Sequence, residues 1–188
     1  MKEYLKETEI IDYSNSDIKK LAKELSKNCK DDVEIARNCF LFVRDNIRHT
    51  GDCKNNITTC KASEVLKFKT GWCYAKSHLL AALLRANNIP TGFCYQRLSC
   101  NEYKKKHLLF AWIKCYLSSK IWLVYGYARG NKEGVNAEFC PPIEKLAFHL
   151  QADEFDLPGI YSEPLKIVIE TLMKFKTYNE MINNFPDI

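Results

Sequence analysis

Cys73 stands in the segment Thr70-Gly71-Trp72-Cys73-Tyr74-Ala75-Lys76-Ser77, at the start of an apolar run with helical spacing. A thiol in the first turn of a helix meets unpaired backbone N–H groups and the positive end of the helix dipole. Both favour thiolate over thiol. The same N–H groups point out of the helix end, where an oxyanion would form during acyl transfer. Gly71 lets the backbone turn sharply and a substrate approach closely, and Trp72 offers a rigid apolar wall. Covalent acyl transfer needs an ionisable thiol, an oxyanion site and an open approach. The chemistry to look for is therefore attack of Cys73 on a carbonyl, in a cleft shaped by Gly71, Trp72 and Tyr74. The competing reading is structural, because a cysteine drawn from the nine in this chain is by default a small buried hydrophobe.

Such a nucleophile needs a base, and the four histidines differ in what their surroundings allow. His78 follows Cys73 by five residues on the same helix, which rotates it off the Cys73 face and gives it a structural or surface role. His49 ends a helix beside Arg48, where capping the C-terminus is sufficient reason for it. His149 follows Leu146-Ala147-Phe148 without special context. His107 opens the strand-like segment Leu108-Leu109-Phe110-Ala111-Trp112-Ile113, thirty-four residues after Cys73. Alternation places His107 with Leu109, Ala111, Ile113 and Cys115 on one face, and Leu108, Phe110 and Trp112 on the other. A histidine at the mouth of a buried strand can face a helix end packed across the sheet, so His107 is the expected base. Its plain alternative is a histidine that merely bounds a strand after a lysine run.

The elements that would position these residues follow from periodicity. Ser14-Asn15-Ser16-Asp17 caps a helix over 14–28 carrying Ile18, Leu21, Ala22 and Leu25. A second helix follows Asp31-Asp32, with Val33, Ala36, Phe40, Val43 and Ile47 on its apolar face. Residues 48–59 turn polar and read as a loop; Ala62 to Phe68 reads as a short helix. Cys73 to Ala86 is apolar almost all round and should be enclosed, ending at Asn87-Asn88 before Pro90. The period then changes. Gly92 to Leu98, His107 to Leu117 and Ile121 to Tyr127 are rich in aromatic and branched residues, as antiparallel strands are. A helix capped at Ser162 is expected near the C-terminus, on Leu165, Ile167, Val168, Ile169, Leu172, Met173 and Phe175. Helices followed by a run of strands, with a nucleophile-bearing helix packed on them, is an α+β pattern.

Bulk properties narrow the function classes. The 188 residues suit one domain, with 46% hydrophobic and 27% charged residues, as in ordinary globular proteins. A net charge of +5 is mild and scattered, and Lys104-Lys105-Lys106 reads as a solvated loop rather than a nucleic-acid contact. The odd cysteine count, without C-x-x-C spacing, argues against a disulfide framework and a four-cysteine zinc site. The charged start Met1-Lys2-Glu3-Tyr4-Leu5-Lys6-Glu7 does not read as a signal peptide, and no apolar run is long enough to span a membrane. A reducing cytoplasm is the expected compartment. Neither a nucleic-acid nor a membrane partner is expected.

Several motifs together resemble the bacterial transglutaminase-like proteins. They are Phe42-Val43-Arg44-Asp45-Asn46-Ile47-Arg48-His49, Ala62-Ser63-Glu64-Val65-Leu66, Gly71 through Ala86, Asn88-Ile89-Pro90-Thr91-Gly92-Phe93-Cys94-Tyr95-Gln96-Arg97-Leu98, and Ala128-Arg129-Gly130-Asn131-Lys132. The resemblance runs from about residue 30 to the C-terminal helix. It implies a papain-like core in which the nucleophile helix packs on an antiparallel sheet. It also implies one domain over 1–188, with the core at about 30–140 and a helical extension at about 143–188. By resemblance, Cys73 takes the nucleophile position and His107 the base position.

The third position departs from the pattern. Similar proteins carry Asp-Ala-Arg-Gly-Asn where this chain reads Tyr127-Ala128-Arg129-Gly130-Asn131, so Tyr127 replaces the orienting aspartate. A tyrosine hydroxyl can hold an imidazole tautomer but, neutral at pH 7, cannot supply charge. Three outcomes follow: a Cys–His dyad working alone, a partner supplied by Glu133, Asn136 or Glu138, or lost catalysis with a retained binding cleft. The expected activity is hydrolysis, or acyl transfer, of an amide or peptide through a Cys73 thioester, on a peptide, protein or small amide substrate. That chemistry requires no metal or organic cofactor. The alternative is a catalytically impaired relative that binds a peptide or small ligand in the same cleft.

Overall fold

Capping chemistry sets the first two helices. The Asn15 side chain accepts bonds from the N–H groups of Asp17 and Ile18, starting α1 (Ser16–Ser26), which buries Ile18 and Ala22. Asp31 does the same through Glu34 N–H for α2 (Asp32–Asn46), whose buried stripe is Ala36, Cys39, Phe40 and Val43. The computed structural model describes residues 1–100, 105–118, 122–125, 131–132, 135–136, 138–139 and 150–188.

The polar stretch after α2 is more ordered than a loop. Arg48 and His49 form a short strand, β1 (Arg48–His49), followed by the single helical turn α3 (Thr50–Cys53). After α4 (Ala62–Phe68) comes β2 (Thr70–Gly71), which pairs with β1 in parallel, His49 opposite Gly71. Hydroxyl groups explain why polar residues hold structure here. Thr59 Oγ1 donates to Thr70 O at 2.9 Å, and the Thr50 and Thr70 hydroxyls lie 3.2 Å apart, all three residues being buried. These side chains satisfy one another rather than water.

Helix α5 (Cys73–Ala86) has the bounds its periodicity predicts, and every residue from Cys73 to Arg85 is buried. It packs against α1, α2 and α4 on one side and the strands on the other. Its polar residues survive burial by capturing backbone carbonyls. The Arg85 guanidinium donates to Lys6 O (2.7 Å), Thr91 O (2.7 Å) and Ser162 O (2.6 Å). Burial pulls its pKa down to about 10, which leaves it cationic at neutral pH.

The strands are β3 (Thr91–Cys100), β4 (Lys105–Tyr116), β5 (Trp122–Tyr125), the small antiparallel pair β6 (Asn131–Lys132) and β7 (Val135–Asn136), and β8 (Phe155–Asp156). The main sheet runs β5-β4-β3-β8 and is antiparallel throughout. Tyr95 opposes Ala111, and the β3–β4 register shifts at Ser99/Cys100. Strand β4 already includes Lys105 and Lys106, which the sequence reads as loop. Phe93 packs its ring against His78 and beneath Arg85, so α5 covers the face carrying Phe93 and Tyr95.

Two short helices close the described chain, α6 (Lys166–Lys174) and α7 (Tyr178–Asn183). Ser162 does not cap α6, as its spacing led us to expect. The helix starts after Leu165, without a side-chain cap, and the Ser162 carbonyl is held by Arg85 instead. Helix α7, not anticipated as a separate element, is capped reciprocally by Thr177 and Glu180. Cys39, Cys60, Cys73, Cys94 and Cys115 are buried, whereas Cys53 is exposed; Cys140 lies outside the described residues. Among the described residues, no helix is long and apolar enough to cross a membrane.

Candidate active site

Cys73 is the first residue of α5, and Trp72 is its N-cap, with extended backbone and no side-chain cap bond. The first helical bond runs from Lys76 N–H to Trp72 O at 2.9 Å, and Ser77 Oγ donates back to Cys73 O at 2.9 Å. Lys76 is fully buried. Its ammonium donates to Ile47 O at the end of α2, with Arg44 O at 3.5 Å. A cation at the C-terminal end of α2 matches the helix dipole there, and it ties the start of β1 to the first turn of α5.

Gly71 serves this junction differently from the expectation. It is not among the glycines with positive φ, so no left-handed turn demands it. A Cβ there would lie 3.2 Å from Ala75 Cβ, 3.3 Å from Thr59 Oγ1 and 3.4 Å from Lys76 N. Its value is the close approach of β2 to α5.

A small, mainly apolar cavity opens on Cys73. Among the described residues it is lined by His49, Trp72, Tyr74, Leu108, Phe110 and Phe185. The Trp72 indole is the centre of an aromatic cluster. It meets His49 edge-on at 5.5 Å, Phe185 edge-on at 4.8 Å and Tyr178 in a stack at 6.0 Å. Strand β4 closes the opposite wall. The Tyr74 hydroxyl donates to Leu109 O, and Leu109 N–H donates to Pro186 O at 3.0 Å, so α5 and the C-terminal segment both dock on this stretch of β4. The buried Tyr95 hydroxyl accepts from Leu165 N–H at 3.0 Å. Burial raises its pKa, and negative charge on nearby Cys73 raises it further.

Trp72, Cys73 and Tyr74 thus meet at one cavity, with Gly71 directly behind. His107 sits elsewhere. Alternation along β4 turns it away from Leu108 and Phe110, and it is not part of the cavity lining. Its Nε2 is 3.0 Å from Asp153 Oδ2. That carboxylate partner was not anticipated, because it comes from a turn forty-six residues downstream with no distinguishing pattern. Tyr127, Glu133 and His149 lie outside the described residues; of Asn136 only the backbone, in β7, is described. Glu138 is near enough to Arg44 to favour its charged form.

The remaining histidines exchange importance. His78 is fully buried, its Nδ1–H donating to Cys60 O at 2.7 Å, and burial pushes its pKa down to about 4. It is a neutral structural residue. His49, read from sequence as a helix cap, lies beyond the end of α2 in β1. Among the described residues it is the imidazole that lines the Cys73 cavity, with Nδ1 3.7 Å from Asp52 Oδ2. The signal available in the sequence was the pair His49 and Asp52 three residues apart, just before a segment that had no reason to be ordered by itself.

No curated protein matches the chain. Among solved structures it is similar to a candidate cysteine protease from Cytophaga hutchinsonii. The match has 17% identity and a TM-score of 0.55, and covers 67% of this chain and 40% of the other. It is also similar to a candidate protease from Parabacteroides distasonis, at 15% identity and a TM-score of 0.43, covering 63% of this chain and 24% of the other. The chain therefore spans less than half the length of either protein. Residues 19–127, more than half of the chain, match the profile of the Transglutaminase-like superfamily. With its nucleophile-position helix packed on an antiparallel sheet, this chain belongs to the transglutaminase-like superfamily.

Proposed function

We propose that the protein is a cysteine acyl-transfer enzyme that forms a thioester between Cys73 and the carbonyl of an amide or peptide, and passes the acyl group to water. The observation that carries this reading is the placement of Cys73. It begins a 14-residue buried helix and opens on a cavity that also holds an imidazole and a rigid indole wall. The Cytophaga hutchinsonii neighbour, described as a candidate cysteine protease, falls in the same reaction class.

The steps follow from that geometry. The Cys73 thiol gives its proton to an imidazole, and the sulfur bonds to the carbonyl carbon. The resulting oxyanion sits at the N-terminus of α5, where backbone N–H groups and the helix dipole favour negative charge. The C–N bond then breaks, and the amine leaves with the proton held by the imidazole. Water, deprotonated by the same ring, attacks the thioester and regenerates the thiol.

Acylation by p-nitrophenyl acetate, followed by intact-mass measurement, tests the reading. The expected result is a burst of p-nitrophenol stoichiometric with the chain, an acetyl group mapped to Cys73, and no burst in Cys73→Ser. A burst that survives Cys73→Ser, or no acylation of Cys73, overturns it.

A second reading is a catalytically silent cleft that binds a peptide or small ligand. The apolar contribution of β4, Leu108 and Phe110, favours it, as does Tyr127 in the carboxylate position of the motif. Ligand binding by a folded protein that shows no burst would select this reading.

A further inference from the structure

We infer that His49, oriented by Asp52, is the general base for Cys73, and that His107 is not. The inference rests on the proposed acyl transfer and assigns its proton carrier. Among the described residues, the imidazole lining the Cys73 cavity is that of His49. His107 is not part of that lining, and its Nε2 lies 3.0 Å from Asp153 Oδ2.

Local structure explains why His49 is held in place. Pairing of β1 with β2 sets it opposite Gly71, two residues before the nucleophile. Lys76, one helical turn into α5, grips Ile47 O two residues before His49. The Trp72 ring then lies edge-on to the imidazole at 5.5 Å and limits its rotation. Both sides of the nucleophile–base pair are thereby fixed to the same junction of α2, β1, β2 and α5.

The division of labour on the ring is the one a base requires. Nδ1 faces Asp52 Oδ2 at 3.7 Å, an ion-pairing distance longer than a hydrogen bond, so the carboxylate bears on the Nδ1 side of the ring. Catalytic contacts are often long before substrate binds and tighten in the complex. The imidazole is buried while the side chain of Asp52 is partly exposed, and a carboxylate beside the ring stabilises the imidazolium formed when Cys73 loses its proton. The proton passes from Cys73 Sγ to His49 Nε2, and from there to the leaving amine. Among the described residues, the other groups near this pair are the hydroxyls of Tyr74, Tyr95 and Tyr178, and the Lys76 ammonium, which is already bonded to carbonyls.

The test is the pH profile of Cys73 alkylation by iodoacetamide, with each cysteine mapped by mass, in the wild type and in His49→Gln, Asp52→Asn and His107→Gln. In the wild type, reactivity should rise at a pH well below the ~8.5 of free cysteine. His49→Gln should move that inflection up by about one unit or more. Asp52→Asn should move it the same way by less, and His107→Gln should leave it in place. A shift in His107→Gln with none in His49→Gln overturns the assignment and leaves the acyl-transfer reading standing. A wild-type inflection at the free-cysteine value, or a thiol that no pH lets react, removes both. Should His49→Gln fail to fold by near-UV circular dichroism, Asp52→Asn decides: no shift there overturns the assignment.

Discussion

Among the described residues, two imidazole–carboxylate pairs, one on the sheet and one at the β1–β2 junction, differ in an instructive way. At the sheet, His107 and Asp153 make the shorter contact, 3.0 Å, but the Asp153 side chain is 62% exposed and the ring is not part of the cavity lining. At the β1–β2 junction, His49 and Asp52 are 3.7 Å apart, with the carboxylate 28% exposed and the ring in the cavity. The better-formed bond is on the pair that is worse placed. A charge-assisted bond on an exposed rim is screened and contributes little, whatever its length. What makes an imidazole useful to a thiol is the wall it belongs to.

That contrast can be broken most forcefully through Lys76. Lys76→Met strips the buried carbonyl of Ile47 of its cation and unpins β1 from α5. The expected cost is about 2–4 kcal/mol in urea unfolding, with slower Cys73 alkylation in the protein that remains folded. Full retention of both would mean that the junction does not hold His49 in place.

A middle-sized effect comes from His78, the neutral ring on the same helix. Its folded pKa of about 4 lies below the 6.5 of an exposed histidine, so between those values the unfolded chain binds a proton that the native state refuses. Stability is unaffected by this group above pH 6.5 and falls as pH drops below it. Between pH 7 and pH 5 the loss is about 2 kcal/mol. His78→Asn keeps a donor for Cys60 O without titrating, and should lose about that much less over the same interval. Equal slopes in the two proteins would show that His78 is not desolvated.

The smallest effect belongs to the rim. Asp153→Asn should change stability by no more than about 0.5–1 kcal/mol and leave the alkylation profile of Cys73 untouched. A large change in reactivity would bring His107 back toward the nucleophile and erase the difference between the two pairs.

Much of this architecture is legible in the sequence, for reasons of period and capping. The bounds of α5 follow from apolar residues all round it and from Asn87-Asn88 after it. Asn15 and Asp31 announce α1 and α2. Cys73 is legible as a nucleophile position because its helix start, Gly71 and Trp72 are neighbours in sequence. His49 is not, since the residues that order it, Thr70 and Lys76, are polar and distant, and a polar stretch with Gly51 reads as loop. Asp153 and the β8 edge strand are hidden for a similar reason: two paired residues leave no periodic trace. The strand preference of β4 is clear, but which of its residues reach the Cys73 cavity depends on how the helix docks, and that decides between His107 and the pair Leu108 and Phe110.

Arg85 gives the fold a property that no pairwise count of its bonds expresses. One guanidinium holds carbonyls from residue 6, residue 91 and residue 162, so the segment before α1, the start of the sheet and the approach to α6 share a single buried cation. Docking of the first and last of these is then coupled. Peeling away one segment leaves a desolvated charge with open donors, and peeling away the other afterwards adds little further cost. The two ends of the described chain are in this sense one cooperative unit, separated in sequence by the helices and strands of the core and joined in free energy at a single side chain.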